Sequence, residues 1–337
     1  MPMGLLEVSG TIDLNQFWPA GESDADTVKV HLSGLNAFRF RVNPGAPVKI
    51  THAFEGAQVK GKVTKDAIDK QQRITIRLQA IDAPELHYRP LAPTLNKKKP
   101  TATQRAAFNA ANANFRQNFG ETSTVALFNF MKKAGASPIP CVVRTTVDHP
   151  NDVFDTFGRF IGDIFVTIQG KEQSANEWLC ANGWAFPTFY ASMTSQEIQT
   201  FTKLSEQART SKAGLWKNAS NQLMPFDPKL VFRKNGVPNP AQDKGPVIMP
   251  KLFRRRSTFG IALIAKIAKG TFKTYLQGEP DGCFQTSDFL SQGTNAATHH
   301  QLDEFISPQG TFLVNAKDLV FREQPSKVVK NGKDVQW

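Results

Sequence analysis

The chain has only three cysteines in 337 residues, Cys141, Cys180 and Cys283, and they stand far apart. That excludes a disulfide-stapled scaffold and a CxxC metal site, both of which need clustered thiols. No apolar run approaches the length that crosses a bilayer, so no membrane helix is expected. The first residues, Met1-Pro-Met-Gly-Leu-Leu-Glu7, carry neither a basic segment nor a long apolar one, so no signal peptide is expected. As written the chain reads as cytoplasmic, with prior processing or export by a non-Sec route as alternatives. No internal repeat is visible. With 40% hydrophobic and 21% charged residues, the composition is that of a globular chain. Lys and Arg number 41 against 29 Asp and Glu, a net charge of +12. That excess favours a polyanionic partner, nucleic acid or an anionic surface, and says nothing about fold.

The first third reads as β structure. Val8 to Phe17 and Thr27 to Leu32 are strand candidates, as are Phe38 to Val42, Val48 to His52 and Arg73 to Ile81. Thr101 with Gln104 forms a capping-box pattern that opens a helix expected to reach Asn118, and Glu121 to Ala134 has helical spacing. Strands over Pro140 to Val147 and Arg159 to Ile168 follow, then a short helix, Ala175 to Ala181. A second capping box, Thr194 with Glu197, opens a helix ending near Gly214. Beyond Trp216, Pro225, Pro228, Pro238, Pro240, Pro246 and Pro250 suggest a linker over 221–250. Residues 251–337 read as a small C-terminal domain, with a basic cluster (Lys251, Arg254, Arg255, Arg256) and strand-like segments at Thr311 to Val314 and Asp318 to Phe321.

Three short segments carry chemistry together. Asp24-Ala-Asp26-Thr27 opens a strand, Arg77-Leu-Gln-Ala-Ile-Asp82-Ala-Pro-Glu85 closes one, and Phe157-Gly-Arg159 opens another. Singly, each has an ordinary reading as a solvated turn, a strand end or an exposed arginine. Jointly, Asp26 and Asp82 are hard oxygen donors suited to Ca2+ or Mg2+. Glu85 is placed to act as a base. Arg77 and Arg159 suit a phosphate, which a guanidinium grips through paired hydrogen bonds. Such a set matches metal-assisted phosphodiester hydrolysis.

These segments, with Asn176-Glu-Trp-Leu, Asn182-Gly-Trp-Ala185 and Glu206-Gln-Ala-Arg…Gly214-Leu-Trp216, resemble the staphylococcal nuclease-like (thermonuclease) family over roughly residues 6–217. The resemblance implies an α+β fold, an OB-like five-stranded β-barrel with packed helices, interrupted here by insertions at 34–72 and 86–118. It implies a metal-dependent endonuclease acting on DNA and/or RNA with little sequence specificity. Asp26, Asp82 and the Ala83 carbonyl would hold Ca2+ (or another divalent cation), with Asp24 nearby as a supporting acid. Glu85 would be the base, and Arg77 and Arg159 the phosphate contacts. Phe157 and Phe189 stand where nucleotide-contacting aromatic residues are expected, without their hydroxyls. The alternative is a non-catalytic module binding nucleic acid or protein on the same fold. The basic cluster of residues 251–337 is expected to add affinity for the substrate or a protein partner, and Lys97–Lys99 is a second basic run.

Overall fold

Every second residue of strand Gly4–Ile12 is buried, so this strand turns one face to a core. In the computed structural model, which describes residues 4–336 apart from 35, 43–44, 96, 234–244, 280 and 325, it is the first of five barrel strands. It pairs antiparallel with the second, Thr27–Leu32, and the fourth, Ile139–Val147. The second pairs antiparallel with the third, Arg73–Leu78, which runs parallel to the fifth, Phe160–Ile168. An antiparallel fourth–fifth pair closes the barrel. The alternation in Arg73–Leu78 shows why: Ile74, Ile76 and Leu78 enter the core while Arg73, Thr75 and Arg77 face outward. Helices pack around the barrel, giving the expected α+β, OB-like architecture.

Local differences have local causes. The first strand stops at Ile12, because Asp13 caps a single 3-10 turn, Leu14–Gln16, by accepting the Asn15 N–H. Both capping boxes form. The helix opened by Thr101 covers only Ala102–Ala111, since Asn112 turns extended and donates its side-chain amide to the Pro90 carbonyl at 2.7 Å. Thr311 to Val314 forms no strand; Thr311 and Phe312 make isolated bridges to Gln222 and Ile306.

The insertion at 34–72 joins the barrel and then leaves it. Strand Phe38–Val42 pairs with the first barrel strand. A hairpin of Gln58–Lys60 and Thr64–Asp66 then pairs with Lys327–Lys330 near the end of the chain.

Residues 251–337 therefore do not stand apart as a small appended domain. Strand Leu319–Phe321 runs beside Phe189–Tyr190. One hydrophobic core joins Phe108, Phe115, Phe119, Phe186 and Leu215 to Leu252, Phe259, Ile261 and Phe272. Of the expected linker, Val247 is tied to Asn218 and Ser220 by backbone hydrogen bonds, whereas Pro238 and Pro240 lie outside the described residues.

One buried acid gives the barrel a pH signature. Asp163, in the fifth strand, accepts the Ser174 hydroxyl at 2.8 and 2.7 Å, and burial pushes its carboxyl up to about 7. An acid whose pKa is raised by folding stabilises the fold below its unfolded value, and that stability is lost as pH rises through the folded value. Thermal melts should therefore give a Tm at pH 5.5 higher than at pH 8, by on the order of 2 °C. Asp163→Asn should lessen the slope, the remainder coming from other raised acids such as Asp26; an unchanged slope would show that Asp163 does not titrate in this window.

Candidate active site

The site lies where the second and third barrel strands begin and end. Thr27 pairs with Arg77 across the ladder, and the Leu78 N–H bonds the Asp26 carbonyl at 2.9 Å, so Asp26 and Arg77 are neighbours by register. A turn through Ala80, at φ 65, redirects the chain into Ile81–Asp82, which pairs with Phe186–Pro187. Glu85 is fixed through its backbone: its carbonyl accepts the Gln117 N–H at 2.7 Å, and its N–H donates to Gln117 Oε1 at 3.3 Å. Gly120 opens the helix Gly120–Lys132 directly against it. A Cβ there would come within 2.5 Å of the Glu85 carbonyl oxygen, so only glycine fits this approach.

The side chains form an alternating chain of charges. Arg77 donates to Asp26 Oδ2 at 2.8 Å and to Asp82 Oδ1 at 2.7 Å. Arg254, from helix Pro250–Ile264, donates to Asp82 Oδ1 at 3.0 Å and Oδ2 at 2.9 Å, and also to Glu85 Oε1. Asp26 Oδ2 further accepts the Ala83 N–H at 2.9 Å, and Oδ1 accepts the Thr27 hydroxyl at 3.1 Å. Asp82 is wholly buried.

Burial sets the proton affinities. It pushes the Asp26 carboxyl up to about 7 against the pull of Arg77. It likewise raises Glu85, opposed by Arg254. Burial disfavours ionised Asp82 too, but Arg254 and Arg77 together outweigh it and hold Asp82 below its ordinary value. Asp24 adds negative charge to both Asp26 and Glu85, and its Oδ1 is buried without a hydrogen-bond partner among the described residues.

The remaining expected residues fall in two groups. Arg159 is tied to Asp155 at 2.7 Å, with one Nη 3.5 Å from the Thr27 hydroxyl, so it borders the cluster through Thr27. Phe157 is 37% exposed, with Arg159 5.6 Å and Lys62 Nζ 5.5 Å from its ring centre. Phe189 is different. It is 0% exposed, paired with Val320 of the neighbouring strand, and offers no face to a nucleotide.

Residues 75–218 match the family model of the staphylococcal nuclease homologues. That nuclease-homologue segment contains Arg77, Asp82, Ala83, Glu85, Phe157, Arg159 and Phe189. Asp24 and Asp26 precede it, on strand connections that the barrel places beside it. None of the curated proteins compared with the chain matches it.

Two contributions to the cluster come from outside that segment. Lys62 sits at the tip of the inserted hairpin, whose backbone donates to the Thr156 carbonyl at 2.8 Å. Burial together with nearby Arg255 and Lys251 lowers its pKa. The only sequence signal for it was a lysine in a Gly-flanked turn, Gly61-Lys-Val63, inside the insertion. Arg254 belongs to the basic cluster expected to face a polyanion, but that cluster is matched within the chain. Arg255 pairs with Asp281 at 2.5 Å and Glu279 at 2.6 Å, and Lys251 lies 3.4 Å from Asp281. Arg256 packs against Phe259 and Phe272.

The donor set for Ca2+ consists of the right element, hard oxygen, in the wrong arrangement. Calcium takes about 6–8 oxygens at about 2.3–2.6 Å. Here both Asp82 oxygens and both Asp26 oxygens already accept protein hydrogen bonds, Arg254 spans Asp82 to Glu85, and Ala83 meets the cluster through its N–H. Among the described residues no three acidic, His or Cys side chains form a metal-holding group. As arranged, these residues do not fit the ion.

Proposed function

We propose that this barrel edge binds nucleic-acid phosphodiesters and hydrolyses them with little regard to sequence. The observation that carries the reading is the convergence of Asp26, Arg77, Asp82 and Glu85 in one desolvated cluster. A buried ion network is weak as a stabilising device, because apolar residues of the same volume do as well or better. Perturbed acids gathered beside an arginine are instead a common mark of chemistry.

In this reading Glu85, whose carboxyl is raised by burial, takes a proton from water as the water oxygen bonds to phosphorus. The bond from phosphorus to the leaving sugar oxygen breaks, and that oxygen takes a proton from solvent. Arg77 meets the charge that builds on the phosphoryl oxygens. Phe157, between Arg159 and Lys62, offers an aromatic face with flanking cations, which suits a base and its phosphate without reading sequence.

The test is cleavage of plasmid and single-stranded DNA and of RNA by the full chain and by Glu85→Gln. The variant should lose about 10²-fold or more in rate with its melting curve kept. If the wild-type chain is inert with every divalent cation and with chelator, the hydrolase reading fails. A second reading has its own observation: Arg254 ion-pairs with both Asp82 and Glu85, which would leave a module that binds strands uncut. A mobility shift on single-stranded DNA, without product, would identify it.

A further inference from the structure

We infer that Arg254 is the resident cation of this site, so that its guanidinium and a divalent ion are alternative occupants of the same carboxylates, Asp82 and Glu85. The inference deepens the hydrolase reading and rests on it only for what the cluster is for.

The geometry is that of a planar fork on a carboxylate. Arg254 contacts both oxygens of Asp82, at 3.0 and 2.9 Å, and reaches Glu85 with the same Nη1. Two parallel hydrogen bonds of this kind fix the acceptor in orientation as well as charge. Asp82 is fully buried, so no water layer is there to separate a second cation from the guanidinium. A calcium ion at bonding distance from either Asp82 oxygen would lie directly against Arg254, in surroundings that screen repulsion poorly.

Arg254 is also held from behind. Its helix buries Leu252, Phe259, Ile261 and Ala262 in the second core. Thr258, one turn on, shares a hydrogen bond with the Tyr88 hydroxyl at 2.9 Å, and Arg255 is locked to Asp281. Gln117, whose backbone and side chain fix Glu85, donates its amide to the Ile248 carbonyl just before the helix, at 2.5 Å. One side chain thus ties the base to the segment that delivers the cation. Arg254 acts as a positioning residue: it orients Asp82 and Glu85 and supplies the positive charge that these acids would otherwise draw from a metal.

Calcium binding tests this without reading hydrolysis, so a failed nuclease assay and a failed inference remain distinguishable. Calorimetric titration of the full wild-type chain should show no saturable Ca2+ binding up to about 5 mM, above the range in which most calcium modules fill. Arg254→Gln should bind Ca2+ at least about tenfold more tightly than wild type, Arg254→Lys should remain like wild type, and adding Asp82→Asn to Arg254→Gln should abolish the gain. If Arg254→Gln does not fold, the wild-type chain still decides: its Tm should be unmoved by Ca2+. Wild-type binding that saturates below about 5 mM, a calcium-raised wild-type Tm, a folded Arg254→Gln with no gain, or a gain in Arg254→Gln that survives loss of Asp82 would each overturn the inference.

Discussion

A chain cut after Ser220 is expected to be unfolded or aggregated. Phe108, Phe115, Phe119, Phe186 and Leu215 are buried in a core whose other half is supplied by Leu252, Phe259, Ile261, Phe272 and their neighbours. Exposing five large apolar side chains costs roughly 1.5–3 kcal/mol each. The sum is on the order of 10 kcal/mol, comparable to the entire stability of a typical domain at about 5–15 kcal/mol. The cut also strips the partner strands from Gln58–Lys60 and Phe189–Tyr190 and leaves sheet edges open to aggregation. Circular dichroism and size exclusion of residues 1–220 against the full chain would check this. A cooperative melt near that of the full chain would show the second core to be dispensable. The result also separates this packing from a tail that merely adds substrate affinity, which would leave a folded nuclease with an unchanged kcat.

Replacing Arg77 by Leu should destabilise the full chain by about 3–5 kcal/mol, the usual effect of leaving buried charge without its partner. Arg77 is the only group that pairs with both Asp26 and Asp82, at 2.8 and 2.7 Å, among the described residues. Without it two carboxylates face each other with Arg254 reaching only one of them. The loss should be smaller at low pH, because Asp26, already pushed up to about 7 by burial, gains a proton and sheds its charge. Urea unfolding at pH 5 and pH 8 reads both parts. A change below about 1 kcal/mol would mean that the cluster is solvated well enough to do without the pair.

The barrel was legible because its strands are locally patterned. Thr27–Leu32 and Arg73–Leu78 alternate, and helix Ser195–Thr210 starts at a capping box that forms as written. Three of the four clustered residues, Arg77, Asp82 and Glu85, lie within one short segment, so local pattern sufficed for them. What the sequence hid depends on pairing across long distances. Arg254 reaches Asp82 across 172 positions, and no local spacing announces which carboxylate a basic helix will meet. Its neighbours Lys251 and Arg255 read as a polyanion patch because Glu279 and Asp281, which neutralise them, fall a further stretch downstream. Phe189 misleads for the same reason. An aromatic residue in the expected place is buried once Leu319–Phe321 arrives beside it.

The pairing of Lys327–Lys330 with Gln58–Lys60 has a meaning for synthesis. The hairpin that carries Lys62 to the rim of the site leaves the ribosome long before its partner strand does. At about 5–20 residues per second, the stretch that brings Arg254, the second core and that closing strand takes on the order of ten seconds to follow the barrel out. A nascent chain therefore spends that interval with five large apolar side chains of the second core uncovered and two sheet edges unpaired, and its acids meet Arg254 only after that stretch has emerged.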